Sequence, residues 1–252
     1  MERRRSAIRA AVVWEALESV LRARRVAVEE SRSLRVVDLG GGTGGLAVRI
    51  AELGHQVLVV DPSPDALASL ERRADDAGIS SAVQGVLGDA DTLLDVVEPA
   101  SADLVLCHGV LEVVDKPDQA LAAAAAALLT GGSLSVLAAQ RSGAVFSRAL
   151  AGHLAEARAL LHDPAGADGR SDAVVRRFSQ DELCSLVAAT GFTLATIHAV
   201  RIFVDHISSA VVDSDPGAAA ELSALEAAGA THPDYMGAAT QLHLLATKVT
   251  QD

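Results

Sequence analysis

Apolar positions along the chain switch between two periods. In residues 6–30, Ile8, Val12, Val13, Leu17, Val20 and Leu21 recur at helical spacing with arginine and glutamate between them, which predicts a helix. Short, nearly continuous apolar runs then alternate with amphipathic stretches. Residues 34–39 read as a strand closed by Gly40-Gly41-Gly42-Thr43-Gly44-Gly45, and a helix follows through Leu46, Val48, Ile50 and Leu53 to Gly54. Residues 57–61 form a second strand, and Pro62-Ser63-Pro64-Asp65 opens a helix to about Ala77. A third strand at 82–87 ends in Gly88-Asp89, and a fourth spans 103–108. An alanine-rich helix over 117–129 is expected to stop at Gly131-Gly132, before a fifth strand at 133–139.

Beyond Gln140 the rhythm changes. Residues 142–162 read as one helix, 163–173 as a loop, and Ser179-Gln180-Asp181-Glu182 as the N-cap of a helix to Ala189. A strand is expected from Gly191 to about Val204, helical or irregular chain over 206–238, and a last strand from Gln241 to Val249. Apolar strands alternating with helices predict an α/β fold: a Rossmann-like, doubly wound, seven-stranded sheet, mostly parallel with an antiparallel C-terminal strand and helices on both faces. The expected organisation is a single domain. It comprises an N-terminal helix (1–33), a ligand-binding core (34–140), a lid-like insertion (141–178) and a sheet-completing segment (179–252) with its own insertion (205–238).

The chain has 252 residues, enough to bury a core without disulfide or metal staples. Its two cysteines, Cys107 and Cys184, lie far apart in apolar runs, which fits a reducing cytosol and no zinc site. The basic cluster at the start has no apolar core behind it, and no run is long enough to cross a bilayer, so a cytoplasmic protein without leader or membrane partner is expected. The net charge of −12 disfavours a broad nucleic-acid surface. Residues 1–35 nevertheless carry nine arginines against five glutamates, which reads first as a solvated helix face and second as a local anion contact.

The glycine run holds the candidate chemistry. Gly40-x-Gly42-x-x-Gly45, with Asp61 about twenty residues on, matches the dinucleotide fingerprint and keeps NAD in view. Asp38 weighs against it, because a carboxylate at the end of the first strand repels a pyrophosphate and suits a ligand bearing ammonium and sulfonium groups. Asp61 and Asp89, ending the next two strands, are placed for ribose hydroxyls and an adenine amine; the bland alternative is that both only cap the following helices.

Val37-Asp38-Leu39-Gly40-Gly41-Gly42-Thr43-Gly44 resembles motif I of the class I S-adenosylmethionine-dependent methyltransferases, and Val60-Asp61-Pro62-Ser63 resembles motif II. Gly88-Asp89-Ala90 is similar to their adenine-binding segment. Three further stretches, residues 8–14, 107–112 and 200–205, resemble the bacterial tRNA 5-carboxymethoxyuridine methyltransferases, and the likeness runs over nearly the whole chain, thinly between 140 and 190. The resemblance implies S-adenosylmethionine as cofactor. It implies Arg9 at the methionine carboxylate, Gly40, Gly41 and Gly42 in the loop, Asp61 and Pro62 at the ribose, Asp89 and Ala90 at the adenine, and His108 beside the methionine portion. Read without it, Arg9 is an exposed helix arginine, and His108 is as well explained as a core histidine.

The acceptor stays open between a small molecule and a modified tRNA uridine. Residues 161–168 are acidic to neutral where the tRNA-acting relatives are lysine-rich, and aromatic residues are scarce, with one Trp, one Tyr and four Phe. Arg201, following the apolar strand, is the candidate contact for an anionic acceptor, a carboxylate among the options; an exposed structural arginine is the alternative. No catalytic base and no metal-ligand spacing is evident. His153, His162, His198, His206, His232 and His243 are scattered and read as surface or core residues. An NAD-dependent oxidoreductase and a non-catalytic S-adenosylmethionine-binding module are the competing readings.

Overall fold

The computed structural model describes residues 2–28, 32–162, 176–215 and 217–249. The 163–173 loop expected from the sequence, with the acidic stretch it shares, therefore lies outside the described residues. Helix α1 (Glu2–Val28) leads into β1 (Arg35–Leu39), α2 (Gly45–Glu52), β2 (Gln56–Asp61), α3 (Pro64–Asp76) and β3 (Val83–Leu87). A one-turn helix α4 (Leu93–Val96), β4 (Ala102–His108), α5 (Pro117–Ala127) and β5 (Leu128–Ala139) follow. Then come α6 (Arg141–Leu150), α7 (Leu154–His162), α8 (Gln180–Ala189), β6 (Phe192–Val200), α9 (Ser209–Ser214), α10 (Ala218–Gly229) and β7 (Gln241–Lys248). The seven strands form one sheet in the order β3-β2-β1-β4-β5-β7-β6, mostly parallel with antiparallel C-terminal strands, as the alternation predicts.

The apolar runs are explained by burial on both faces. All residues of β1 after Arg35 are buried, and so is every residue of β4 before His108. In the register, Leu39 stands opposite both Val60 of β2 and Cys107 of β4, and Asp61 opposite Leu87 of β3. The carboxyl ends of four neighbouring strands are thus level, the place where an open parallel sheet takes its ligand.

The described residues fall into two compact units, one drawn from 1–19, 137–183 and 196–244, the other from 20–136, 184–195 and 245–252. Two expected boundaries are corrected. The alanine-rich helix ends at Ala127, because Ala100 and Ser101 donate their N–H groups to the carbonyls of Ala126 and Ala127 and Leu128 turns extended; β5 starts there, ahead of the glycines. The single helix expected over 142–162 is two, broken at Gly152, whose φ of 83° is left-handed. The capping box at α8 is as expected: Ser179 Oγ accepts from the Glu182 N–H, and Glu182 Oε2 accepts from the Ser179 N–H at 2.8 Å.

Part of the N-terminal arginine cluster faces inward. Asp103, wholly buried at the start of β4, accepts from Arg24, Arg32 and the backbone N–H of Arg35, and Arg24 also donates to the Gly131 carbonyl. The solvated-face reading fails for Arg24 and Arg32, whose charges answer a carboxylate out of water. Asp103→Ala leaves two guanidinium groups and an N–H without their acceptor and is expected to lower unfolding free energy by about 3 kcal/mol. Urea denaturation with an unchanged m-value measures it.

Candidate functional site

The unit containing β1–β4 brings nine of the expected residues to one edge of the sheet. Gly40 and Gly42 carry φ values of 68° and 55°, so the loop needs glycine to turn over the strand end. At Gly41 the reason is space: a Cβ there would lie 2.5 Å from Asp38 Oδ2 and 2.9 Å from Val59 Cγ1. The Asp38 carboxyl is folded beneath the loop and is 3% exposed. Burial, with the nearby Asp61 charge second, pushes its pKa up to about 7.

Asp61 fastens the loop to the next turn. Its Oδ2 accepts from the Gly42 N–H at 2.8 Å and its Oδ1 from the Ser63 N–H at 2.9 Å. Ser63 then caps α3, with Pro62 exposed before it. Asp89 is exposed, and its Oδ1 accepts from the N–H groups of Asp91 and Thr92 and from Thr92 Oγ1. These bonds, the Thr92 hydroxyl foremost, hold its carboxyl below the usual range. The N-cap of α3 is therefore Ser63 and not Asp61, while Asp89 holds the turn that opens α4 at Thr92; each carboxylate keeps lone pairs for a ligand. Ala90 beside Asp89 is buried.

His108 ends β4 with its Nε2 2.8 Å from Ser135 Oγ, and burial pushes its pKa down to about 4, so the ring is neutral near pH 7. Cys107, just before it, is fully buried, and its thiol is pushed well above the ordinary range by burial and then by Glu112 and Asp38.

Arg9 and Arg201 meet in the other unit, on a residue to which sequence reasoning gave no role. Asp205 accepts from Arg9 Nε at 3.1 Å through Oδ1, and through Oδ2 it faces Arg201 Nη2 at 2.8 Å and Thr240 Oγ1 at 3.1 Å. Burial works to raise its pKa, but the Arg201 hydrogen bond and charge, then Arg9, outweigh it and hold the carboxyl below its usual range. β6 stops at Val200, four residues short of expectation, because Arg201 takes a φ of 62°. That left-handed turn is kept by a second residue the sequence did not single out. Glu226, 1% exposed, accepts from the consecutive N–H groups of Ile202, Phe203 and Val204 at 3.0, 2.8 and 2.7 Å. A glutamate within the apolar run Leu222–Gly229 was the available signal. Of the scattered histidines, His198 and His243 stack with Nδ1 atoms 3.2 Å apart. Among the described residues no group of three metal-ligating side chains occurs, and no helix is long and apolar enough to cross a membrane.

Residues 36–132 match the family model described as a methyltransferase domain. The tRNA 5-carboxymethoxyuridine methyltransferase of Escherichia coli K12 is 33% identical over 146 residues, 58% of this chain and 54% of that protein. The aligned stretch is thus shorter than the near-complete likeness read from the motifs. A ubiquinone biosynthesis O-methyltransferase of Burkholderia thailandensis is 35% identical over 98 residues, 39% of this chain and 41% of that protein. The alignments span about half the length of these curated relatives. A crystal structure of an S-adenosylmethionine-dependent methyltransferase from Mesorhizobium loti superposes with a TM-score of 0.60 at 21% identity, over 90% of this chain and 96% of that one. The resemblance carried by the glycine loop and the aspartates that follow it is thereby shown, and the shared fold with it.

Because Asp38 is forced to share its burial with Asp61, its ionisation costs stability. Its folded pKa lies above the unfolded value, so the protonated form is favoured in the fold and stability from this group falls as pH rises from about 4 to 7. Asp38→Asn is expected to raise the melting midpoint by about 5 °C at pH 8 and by much less at pH 5. Thermal melts across that range check the difference.

Proposed function

We propose that the chain transfers a methyl group from S-adenosylmethionine to an acceptor oxygen, with Arg201 binding an anionic group of that acceptor. The observation that carries the reading is the set of carboxylates, Asp38, Asp61 and Asp89, at or just beyond the carboxyl ends of β1, β2 and β3 beside the glycine loop. A pyrophosphate approaching Gly41 meets the Asp38 carboxyl directly beneath it, which disfavours NAD. An ammonium and a sulfonium meet the same group with attraction, and their charge draws Asp38 back to its ionised form.

The residues present fit the cofactor. A Cβ at Gly42 or Gly109 would meet nothing closer than 3.9 Å, so the chain leaves open space above the loop and after β4. Asp61 and Pro62 hold the ribose, Asp89 and Ala90 the adenine, and Gly40, Gly41 and Gly42 line the loop. His108, neutral and fixed by Ser135, offers a hydrogen bond without a competing charge. Arg9, Arg201 and Asp205 sum to one surplus positive charge, which leaves one anion's worth of attraction for a ligand.

When bound, S-adenosylmethionine supplies a methyl group on a sulfonium, which an acceptor oxygen takes with its own electron pair as sulfur leaves with the pair of the breaking carbon–sulfur bond. A carboxylate acceptor, with a reference pKa near 4, is already ionised and asks the protein for no base. What it asks for is alignment at about 3–3.5 Å, which fixed binding groups supply. The name of the Escherichia coli relative supports a carboxymethoxy group on a tRNA uridine as one such acceptor. The net charge of −12 and six aromatic residues support a small acid instead.

Calorimetric titration with S-adenosylhomocysteine is expected to show micromolar binding that Asp61→Ala weakens at least tenfold, and NAD is expected not to bind. Binding of NAD alone overturns the proposal, and S-adenosylhomocysteine binding with no methyl transfer to any acid or tRNA tested favours the binding-module reading. Arg201→Lys keeps a charge for Asp205 but loses the planar fork. It is expected to raise the acceptor KM about tenfold and leave S-adenosylhomocysteine affinity within twofold; unchanged turnover removes Arg201 from the site.

A further inference from the structure

Two buried polar atoms without a hydrogen-bond partner, Gln140 Oε1 and Arg141 Nε, belong to consecutive residues that line one cavity, and two more, Arg201 Nε and His206 Nε2, belong to the turn around Asp205. Folded proteins leave few such atoms, so a group of them marks a place where the missing partner comes from outside the chain. Gln140, 3% exposed, follows the carboxyl end of β5 and lines a cavity of about 660 Å³ with Arg141, Val145, Phe146, Ala149 and Leu161. That volume lies within the range of small-molecule sites, and so does the composition, apolar walls with a few polar groups.

The cavity adjoins the turn that carries Arg201. Phe146 sets its ring edge-on to His206 with centroids 6.0 Å apart, and His206 follows Asp205 in the chain. On the other side, the Gln140 N–H donates to the Thr240 carbonyl at 2.9 Å, while Thr240 Oγ1 donates to Asp205 Oδ2. The arrangement is held firmly, because α6 lies on the 239–240 backbone so closely that a Cβ at Gly143 would overlap the Ala239 carbonyl.

We infer that this cavity receives the methyl acceptor, and that the acceptor is a small organic acid with an apolar body. Its body lies against Val145, Phe146, Ala149 and Leu161. A hydroxyl or N–H on it donates to Gln140 Oε1, and its acid oxygens accept from the Arg141 Nε–H and are directed at Arg201. The inference rests on the methyl-transfer reading above. The Arg141 guanidinium is answered by Glu182 at 2.8 Å, and Asp181 also lines the cavity, so the charge left for a ligand's acid group is the single surplus of the Arg201 cluster, which suits one anion better than a phosphate backbone.

The test titrates the full chain with 8-anilinonaphthalene-1-sulfonate, an aromatic anion that fluoresces when removed from water, beside S-adenosylhomocysteine. Wild type is expected to bind the dye at one saturable site. Ala149→Trp and Val145→Trp, which fill the cavity, each weaken it at least tenfold while S-adenosylhomocysteine affinity, the report on an intact fold, stays within twofold. Absence of saturable dye binding, or equal binding by both filled variants, overturns the inference. Displacement of the dye by submicromolar total tRNA overturns it as well and returns the acceptor to nucleic acid. If the dye and the filled variants behave as expected while S-adenosylhomocysteine binds to none of the proteins, the methyl-transfer reading fails and the cavity stands as a binding site.

Discussion

Asp61 joins two turns, beside the backbone bond from the Gly40 N–H to the Val60 carbonyl. By accepting the Gly42 and Ser63 N–H groups with separate oxygens, it ties the loop after β1 to the start of α3. The loop can then lie flat over the end of β1, and Asp38 is sealed beneath it. A second carboxylate so close to the first is part of what raises the Asp38 pKa, so the bond that shapes the loop also stores electrostatic cost at its centre. On the proposed reading a cationic ligand relieves that cost, so attraction for the ligand and the cost of ionising Asp38 have one source.

The other unit repeats the theme with different chemistry. Glu226 is buried, yet three consecutive backbone N–H groups satisfy it, and through them it holds the turn that forces Arg201 to a φ of 62°. A non-glycine residue held there costs on the order of 1 kcal/mol, and such strain persists only where surrounding bonds overdetermine it. Asp205 then uses Thr240, Arg201 and Arg9 together to hold two arginines on one carboxylate. Without Asp205 the two guanidinium groups would repel; with it they present a single net charge.

Much of this was legible in the residues. β1 and β4 announced themselves because strands covered on both faces cannot afford polar positions, and Asp38, Asp61 and Asp89 stood out because they interrupt that rule at strand ends. The break at Gly152 was hidden, since amphipathic spacing runs through it and only a backbone torsion ends the helix. The start of β5 at Leu128 was hidden for a related reason: alanine and leucine suit a helix, and it is the N–H groups of Ala100 and Ser101, distant in sequence, that close it. Glu226 showed only as a charge inside an apolar run, and Gln140 not at all. Their roles depend on which backbone amides and which orphaned atoms the fold brings beside them.

The charge distribution ties these observations together. Arginine is concentrated in the first 35 residues, and the structure accounts for several of those side chains inside the protein: Arg24 and Arg32 on Asp103, Arg9 on Asp205, Arg5 on the Val204 carbonyl. Arg24 and Arg32 share one carboxylate, as Arg9 and Arg201 share another, so each pair keeps a single positive charge within a chain of net charge −12. On the proposed reading, a polyanion finds at the Arg201 turn one surplus charge against a chain of net −12, whereas a small acid places its one charge there and its apolar body in the cavity beside it.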